Sequence, residues 1–290
     1  MIEARKTPGH CVVDAPPESL RGCTALVAGG AAGPVGEGLT RAFLRCGARV
    51  VVPSPEEERL ERLRRVCEEE AGAHGGEGGR VLTACENVGE PAGAERVLDR
   101  IQEQFGPLDA VAAALGPWWQ GAPLTEVTMG TWRRALESHL TAHFVCARTF
   151  LPAIAGRRSA SYTLLSGLPA ETPAPEAGPM SVTASGKLMI ARVLMAEHAT
   201  DLVRVNALLL GPVRAPGDSP EEGEGRAPTG RAEGTLMLGD RADDVLTTQD
   251  VGELAALLAS EAGSGVEGSV LRFEGRADLK EWLGTDQQRS

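Results

Sequence analysis

The 290-residue sequence contains few aromatic side chains. Phe, Trp and Tyr together account for 3% of it, and Tyr162 is the single tyrosine. Hydrophobic residues nevertheless make up 42% of the chain, so aliphatic side chains and alanine must fill the core. A chain of this length accommodates one large domain. Any chemistry that needs a phenol is therefore restricted to one residue.

The sequence also lacks an excess of basic charge, since its formal net charge is −11. This balance argues against nucleic acid or an anionic membrane surface as a partner. The six cysteines show no C-x-x-C spacing, which predicts reduced thiols and no metal site. No apolar run approaches the ~20 residues of a membrane span, and residues 1–10 lack the apolar core of a signal peptide. We therefore expect a cytoplasmic protein.

Short apolar segments alternate with helical patterns along the chain. The predicted strands are 24–28, 49–52, 80–84, 108–115, 161–165, 203–209 and 269–273. This alternation predicts an α/β fold, a Rossmann-like doubly wound parallel sheet of about seven strands with helices on both faces. We expect one domain over 22–278, preceded by an N-terminal extension (1–21) and followed by a tail (279–290). The glycine-rich acidic segment 214–235 is predicted to be a mobile substrate loop.

Glycines follow the first predicted strand and precede the first helix. They are Gly29, Gly30, Gly33 and Gly36. A strand, a glycine-rich turn and a helix are typical of dinucleotide sites, where backbone N–H groups and a helix N-terminus face a pyrophosphate. A tight turn without a ligand gives the same pattern. The local sequence therefore leaves both interpretations open.

Several segments in this order carry a family resemblance over roughly residues 22–278. Thr183-Ala184-Ser185-Gly186-Lys187 opens an apolar helix on which Thr183 and Lys187 lie one turn apart. Other matching segments are Phe105-Gly106-Pro107-Leu108-Asp109, Arg204-Val205-Asn206-Ala207, Gly211-Pro212-Val213 and Asp250-Val251-Gly252. Together they resemble the short-chain dehydrogenase/reductase family, with threonine in place of the tyrosine of its Tyr-x-x-x-Lys motif. The resemblance implies a Rossmann-like fold, NAD(P)(H) as cofactor and a role for Lys187 in holding it.

The resemblance also implies a catalytic set of Ser, Tyr, Lys and Asn, of which one member is matched with certainty. Thr183 carries an alkyl hydroxyl, which is far less acidic than the phenol that donates the proton in the family. Either Ser166 or Gly167 falls at the serine position, and His139 falls at the asparagine position. Tyr162 is no substitute, because it lies about 13 Å before the active end of its predicted strand. The candidate catalytic residues are therefore His139, Ser166, Lys187 and Thr183, and ordinary tyrosine-dependent carbonyl reduction is not expected.

The predicted cofactor site departs from the family pattern as well. Pro34 removes one N–H from the glycine turn. Ser54, rather than an acid that binds the ribose of NAD, stands at the end of the second strand, and Asn87 replaces the usual aspartate after the third. No Arg or Lys stands in the turn to bind the phosphate of NADP. Two alternatives remain open, retained binding of NAD(P)(H) and loss of that binding. The candidate cofactor-binding residues are Gly29, Gly30, Gly33, Gly36, Ser54, Asn87 and Lys187.

Two further pairs of residues are candidates for the pocket. Trp118 and Trp119 follow the fourth strand, at the rim where such sheets bind ligands, and predict a wall for a flat or apolar small molecule. One of them packing into the core is the alternative. His139 and His143 lie one helical turn apart. His139 is a candidate base, with a hydrogen-bonded structural histidine as the alternative, and His143 is expected to be structural. No third metal ligand accompanies them, so no metal is expected.

Three functional hypotheses follow. The first is an atypical enzyme acting on a small organic ligand, either a divergent NAD(P)(H)-dependent oxidoreductase or a non-redox isomerase, cyclase or lyase. The second is a catalytically silent subunit that supports an active paralogue, and the third is a ligand-binding protein. Apolar faces predicted on helices 131–151 and 183–198 match those through which family members pair. They indicate a homodimer, a homotetramer or a hetero-oligomer with an active member of the family.

Overall fold

A computed structural model describes residues 19–73, 79–157, 159–215 and 244–283. Nearly all of the predicted N-terminal extension and of the predicted loop 214–235 therefore lies outside the described residues, as do residues 284–290. At the edges of the predicted domain, Leu20 is buried in the core and the last helix runs on to Leu283. Among the described residues, no helix is both long and apolar enough to cross a membrane.

The predicted parallel sheet of seven strands is confirmed. The main sheet contains β1 (Thr24–Ala28), β2 (Arg49–Ser54), β3 (Arg80–Cys85), β4 (Ala110–Ala113), β5 (Ala160–Gly167), β6 (Val203–Leu210) and β9 (Val270–Phe273). A separate pair is formed by β7 (Val213–Arg214) and β8 (Leu246–Thr247). The main sheet has the order β3-β2-β1-β4-β5-β6-β9, and β7 pairs with β8. The strand order reverses between β1 and β4, so the crevice at their carboxyl ends is where such a sheet binds ligands.

Helices cover both faces of this sheet. They are α1 (Pro34–Arg45), α2 (Glu57–Ala73), α3 (Pro91–Phe105), α4 (Met129–Ala135), α5 (Ala142–Ile154), α6 (Gly178–Glu197), α7 (Thr248–Ala259) and α8 (Arg276–Leu283). One buried cluster joins α1, α2, α7 and α8 to the sheet through residues such as Leu39, Phe43 and Leu254. The other joins α3, α5 and α6 to the opposite face through residues such as Ile101 and Phe150. Aliphatic residues dominate both clusters, as the composition predicts.

Local signals explain two helix starts. Thr247 accepts a hydrogen bond from the N–H of Asp250, whose carboxylate accepts one from the N–H of Thr247, so the two residues form a capping box at the start of α7. The helix predicted from Thr183 begins earlier, at Gly178, because Pro179 fits the first turn, where an N–H is not needed. Thr183 and Lys187 therefore lie inside α6 and not at its start.

The helix predicted over 131–151 is not uniform. Between α4 and α5 the chain forms a π-helix over Leu136–Thr141, in which the backbone is wider than in an α-helix. His139 lies within this segment and is buried. Single-turn π segments inside helices occur frequently at functional sites, because the extra residue redirects neighbouring side chains. Hydrophobic periodicity does not reveal such an insertion.

Candidate active site

The hydroxyl of Thr183 is engaged by its own helix. It is buried and donates to the carbonyl oxygens of Pro179 at 2.9 Å and Met180 at 3.2 Å. A threonine that bonds back to the preceding turn satisfies its donor locally. Thr183 therefore has no donor directed at a substrate, whereas a tyrosine at this position would extend a ring further.

Lys187 lies one turn further along α6 and, unlike Thr183, has no hydrogen bond to its own helix within the described residues. Its side chain is only 7% exposed, and within the described part of the chain its ammonium group has neither a hydrogen-bond acceptor nor a carboxylate partner. Burial lowers the pKa of Lys187 from 10.5 to about 8. A buried cation without a partner is costly, so its presence points to a ligand or a chemical role.

His139 is hydrogen-bonded to the backbone segment that follows β4. Its Nε2 lies 2.8 Å from the carbonyl oxygen of Pro117, which can only accept, so Nε2 carries the proton. Gly116 has a φ of +96°, and a Cβ there would fall 2.3 Å from Nδ1 of His139, so the ring lies directly against this glycine. Burial, and then the charge of Lys187, lowers the pKa of His139 to about 4. The ring is therefore neutral at pH 7, and both its nitrogens are close to backbone atoms.

His143 lies one turn further along and is fully buried. Its Nε2 accepts a hydrogen bond of 3.3 Å from the N–H of Leu115, so the proton of the neutral ring is on Nδ1. Nδ1 has no partner among the atoms that the structure describes. Burial, the charge of Lys187 and the neighbouring His139 place the pKa of His143 well below its usual value. His143 thus shares the surroundings of Lys187 and His139.

Ser166 lies at the carboxyl end of β5, facing α6. Its hydroxyl is buried and lies 3.5 Å from the carbonyl oxygen of Ala184, a long contact that leaves the group little constrained. Because Ala184 follows Thr183 directly, the structure brings Ser166, Thr183 and Lys187 to one edge of the sheet. Gly167, the alternative at the serine position, ends the same strand.

The glycine turn combines tight packing with one open position. Gly29 has a φ of +90°, and a Cβ there would fall 2.2 Å from the carbonyl oxygen of Ala114. A Cβ on Gly36 would fall 2.0 Å from the oxygen of Gly29, and Gly30 is closed in by Thr40 and Val52. These contacts need glycine whether or not a ligand binds. Gly33, at the N-cap of α1, has no atom within 4 Å of such a Cβ, and this surface is open to a ligand.

Arg59 is a residue of this site that the sequence prediction missed. Its Nη1 donates to the carbonyl oxygen of Ala32 in the glycine turn at 3.3 Å, and its Nε donates to Glu56 at 2.7 Å. Ser54, at the end of β2, accepts a hydrogen bond from the backbone N–H of Glu56. The turn therefore has an arginine beside it although it contains none. The signal in the sequence is a cation five positions after β2, obscured by the adjacent run of glutamates.

The other predicted site residues, Asn87, Trp118 and Trp119, make no hydrogen bond to Lys187, Ser166 or Thr183 in the described structure. The side chain of Asn87 bonds within its own loop, accepting from Gly89 and donating to Glu90, each at 3.0 Å. The two tryptophans separate: Trp118 is 56% exposed, whereas Trp119 packs against the small buried cluster that includes Met180 at the start of α6. No group of three or more metal-ligating side chains occurs among the residues that are described.

Three comparisons with known proteins bear on this arrangement. Residues 30–275 match the family model described as enoyl-(acyl carrier protein) reductase. Cis-4-hydroxycyclohexanecarboxylate dehydrogenase of Sinomonas cyclohexanicum is 27% identical over 257 residues, which cover 87% of this chain and 94% of that protein.

Two solved structures share the fold. L-sorbose reductase from Gluconobacter frateurii, complexed with NADPH and L-sorbose, is 20% identical, with a TM-score of 0.74 over 90% of this chain and 98% of that one. An NADPH-bound short-chain oxidoreductase from Pseudomonas aeruginosa PAO1, described as containing an atypical catalytic center, is 19% identical. Its TM-score is 0.71, over 87% of this chain and 95% of that one.

Proposed function

The chain belongs to the short-chain dehydrogenase/reductase family, and we propose that it is an NADP(H)-dependent oxidoreductase in which Lys187, and not Thr183, exchanges the proton with the substrate. The family match covers residues 30–275. The observation that carries the proposal is the contrast between the two side chains of α6. The hydroxyl of Thr183 is bonded to backbone carbonyls, whereas Lys187 is only 7% exposed and its ammonium group has no hydrogen-bond or ion-pair partner in the described structure.

In this proposal the ammonium group of Lys187 donates a proton to the oxygen of a ketone as that oxygen becomes an alcohol. The reverse reaction uses the neutral amine as the base, and solvent water restores the protonation state. A group with a pKa of about 8 is suited to both directions near neutral pH. The hydroxyl of Ser166 is close enough to α6 to donate a hydrogen bond to the same oxygen.

The residues at the glycine turn fit a dinucleotide. A bound NADP(H) would supply hydride to the substrate carbon or take it away. Gly33 leaves open surface at the N-terminus of α1, and Pro34 occupies the position where the helix needs no N–H. Arg59 favours NADP(H) over NAD(H), because its guanidinium lies beside the turn and can pair with a 2′-phosphate after leaving Glu56.

The comparisons and the site together support a proposed substrate class. The relative from Sinomonas cyclohexanicum is named for a ring alcohol, and the structural neighbour from Gluconobacter frateurii is named for a ketose. A small secondary alcohol and its ketone are therefore the proposed substrate pair, and ring compounds are the first to test. Trp118, exposed at the end of the segment that follows β4, is the proposed apolar contact for such a ring.

Two amino-acid changes on one helix test the proposal. NADPH oxidation is measured with 4-oxocyclohexanecarboxylate and related cyclic ketones in the wild type, Lys187→Met and Thr183→Ala. We expect Lys187→Met to lower kcat by at least about 100-fold, the usual size of a lost general acid, and Thr183→Ala to retain most of the activity. Activity that survives in Lys187→Met, or is lost in Thr183→Ala with the fold intact, would contradict the assigned role. Failure of the wild type to bind NADPH at millimolar concentration would leave the silent subunit or the binding protein.

An apolar surface supports the proposal that the protein self-associates. Phe144 on α5 and Val182, Met189 and Val193 on α6 are each between 42% and 55% exposed. They lie on the helices whose apolar faces pair between subunits in the family, as the sequence analysis anticipates. We therefore propose a homodimer or a homotetramer, and co-purification with an active member of the family would instead indicate a mixed assembly.

A further inference from the structure

The two buried histidines bond to one backbone segment with opposite polarity. His139 donates from Nε2 to the carbonyl oxygen of Pro117, at 2.8 Å. His143 accepts at Nε2 from the N–H of Leu115, at 3.3 Å. The same ring atom therefore carries a proton in one histidine and a lone pair in the other. A neutral imidazole has one N–H and one bare nitrogen, so each contact fixes a tautomer.

The segment they hold connects β4 to two parts of the candidate site. The N–H of Ala114 donates to the carbonyl oxygen of Ala28 at the end of β1. A Cβ on Gly29 would fall 2.2 Å from the carbonyl oxygen of Ala114. The glycine turn therefore packs directly on this segment. Further along, Trp119 packs against the small buried cluster that includes Met180, near the start of α6. A displacement of the segment would change the position of the glycine turn relative to α6.

We propose that His139 and His143 are positioning residues, held in opposite neutral tautomers, that fix residues 115–117 and through them the cofactor-binding turn. His139 has its proton on Nε2 and His143 has its proton on Nδ1. His139 then acts through the backbone and does not act as the base. The consequence for the cofactor rests on the proposed function, whereas the tautomers are a property of the protein alone.

Burial makes this arrangement consistent with neutral rings. Both side chains are at most 5% exposed, and burial is the largest cause of their lowered pKa values, followed by the charge of Lys187. Protonation of His143 would place an N–H where the N–H of Leu115 now points, so the hydrogen bond would be lost. Nδ1–H of His143 is buried with no acceptor among the described atoms, and a single buried water molecule is the group that would satisfy it.

Nitrogen NMR of the histidine rings tests the tautomers directly. The chain has five histidines, so the ¹⁵N-labelled protein gives few ring signals, assigned with the single variants His139→Gln, His143→Gln and His198→Gln. At pH 7 we expect His139 to show a protonated Nε2 and a bare Nδ1, and His143 to show the reverse. The same tautomer in both rings, or a charged ring in either, would overturn the inference whether or not the protein binds a cofactor.

Matched substitutions test the positioning role. Glutamine places an amide near the position of the imidazole Nε2 and can either donate or accept, whereas leucine offers neither. We expect His143→Leu and His139→Leu to weaken NADPH binding by about tenfold or more, since each leaves a backbone group unpaired, and the two glutamine variants to restore most of the affinity. Leucine variants that bind NADPH as the wild type does would refute the role. No binding by the wild type would instead refute the proposed function, and the NMR result would stand independently.

Discussion

Replacement of Lys187 by methionine should make the protein more stable while it removes the proton donor. The reason is that folding buries this amine without a partner and lowers its pKa from 10.5 to about 8. Between these pH values the unfolded chain binds a proton that the folded chain does not bind. Stability is therefore lost as the pH falls from 10.5 through 8, and the loss is complete at pH 7.

The magnitude follows from the shift of the pKa. About 2.5 pH units correspond to roughly 3 kcal/mol at 1.36 kcal/mol per unit, and no discount for solvent is needed because the side chain is 7% exposed. Methionine has a similar length, carries no charge and fills a buried site well. We expect Lys187→Met to raise the free energy of unfolding by about 3 kcal/mol at pH 7 and by less than half of that at pH 9.5.

Urea unfolding of the cofactor-free protein at the two pH values measures this directly. Arg62→Met, at an exposed position of α2, is the control for loss of a surface cation and should change stability by less than about 0.5 kcal/mol. A variant at position 187 that is less stable than the wild type, or a gain independent of pH, would refute the idea that desolvation of the amine dominates. The first result would mean that the ammonium group has a stabilising partner in the folded protein, and the second would mean that the gain comes from packing of the methionine side chain.

Three other predictions concern neighbouring features. Acid should destabilise the fold through His139, because its pKa of about 4 in the folded protein lies below the unfolded value of 6.5. About 3 kcal/mol of the free energy of unfolding should be lost as the pH falls from 6.5 through 4. In urea unfolding, His139→Gln should remove that part of the pH dependence. Arg59→Gln should weaken binding of NADPH by about tenfold and leave NADH unchanged in calorimetric titrations, whereas equal effects on both would exclude a 2′-phosphate contact. Phe144→Glu should convert the assembly to monomers in light scattering, while Met129→Glu, at an equally exposed site off α5 and α6, should not; a wild-type monomer would contradict the proposed interface.

The fold could be read from the sequence because its signals are local and repeated. Each buried strand is a short apolar run, and their alternation with helices leaves few topologies once crossovers are right-handed. The capping box at Thr247 and the glycine turn after β1 depend on adjacent residues, so spacing alone locates them. The absence of tyrosine at position 183 was equally visible. The hydrogen bonds of the threonine hydroxyl to Pro179 and Met180 cannot be inferred from the sequence, because they depend on where α6 begins.

The site was harder to predict because its contacts join residues far apart in the chain. Arg59 reaches the turn from the next helix, 27 positions away from Ala32, and glutamates on either side of it disguise its role. From its residue type alone His139 is a candidate base, whereas we propose from the structure that it positions the backbone. The structure adds that its donor is bonded to a carbonyl 22 positions earlier in the chain. A hydrogen-bond direction of this kind cannot be inferred from residue type.

The pH dependence of ketone reduction tests the role of Lys187 most directly. The value of kcat/KM for NADPH-dependent reduction of a cyclic ketone is measured from pH 6 to pH 10 in the wild type and in Thr183→Ala, and alcohol oxidation with NADP⁺ is followed in parallel. We expect reduction to fall and oxidation to rise as the pH passes about 8, with the same midpoint in both proteins, because the ammonium group of Lys187 gives up its proton there. A profile without a change near this pH, or a midpoint that moves when Thr183 is replaced, would contradict proton transfer by Lys187.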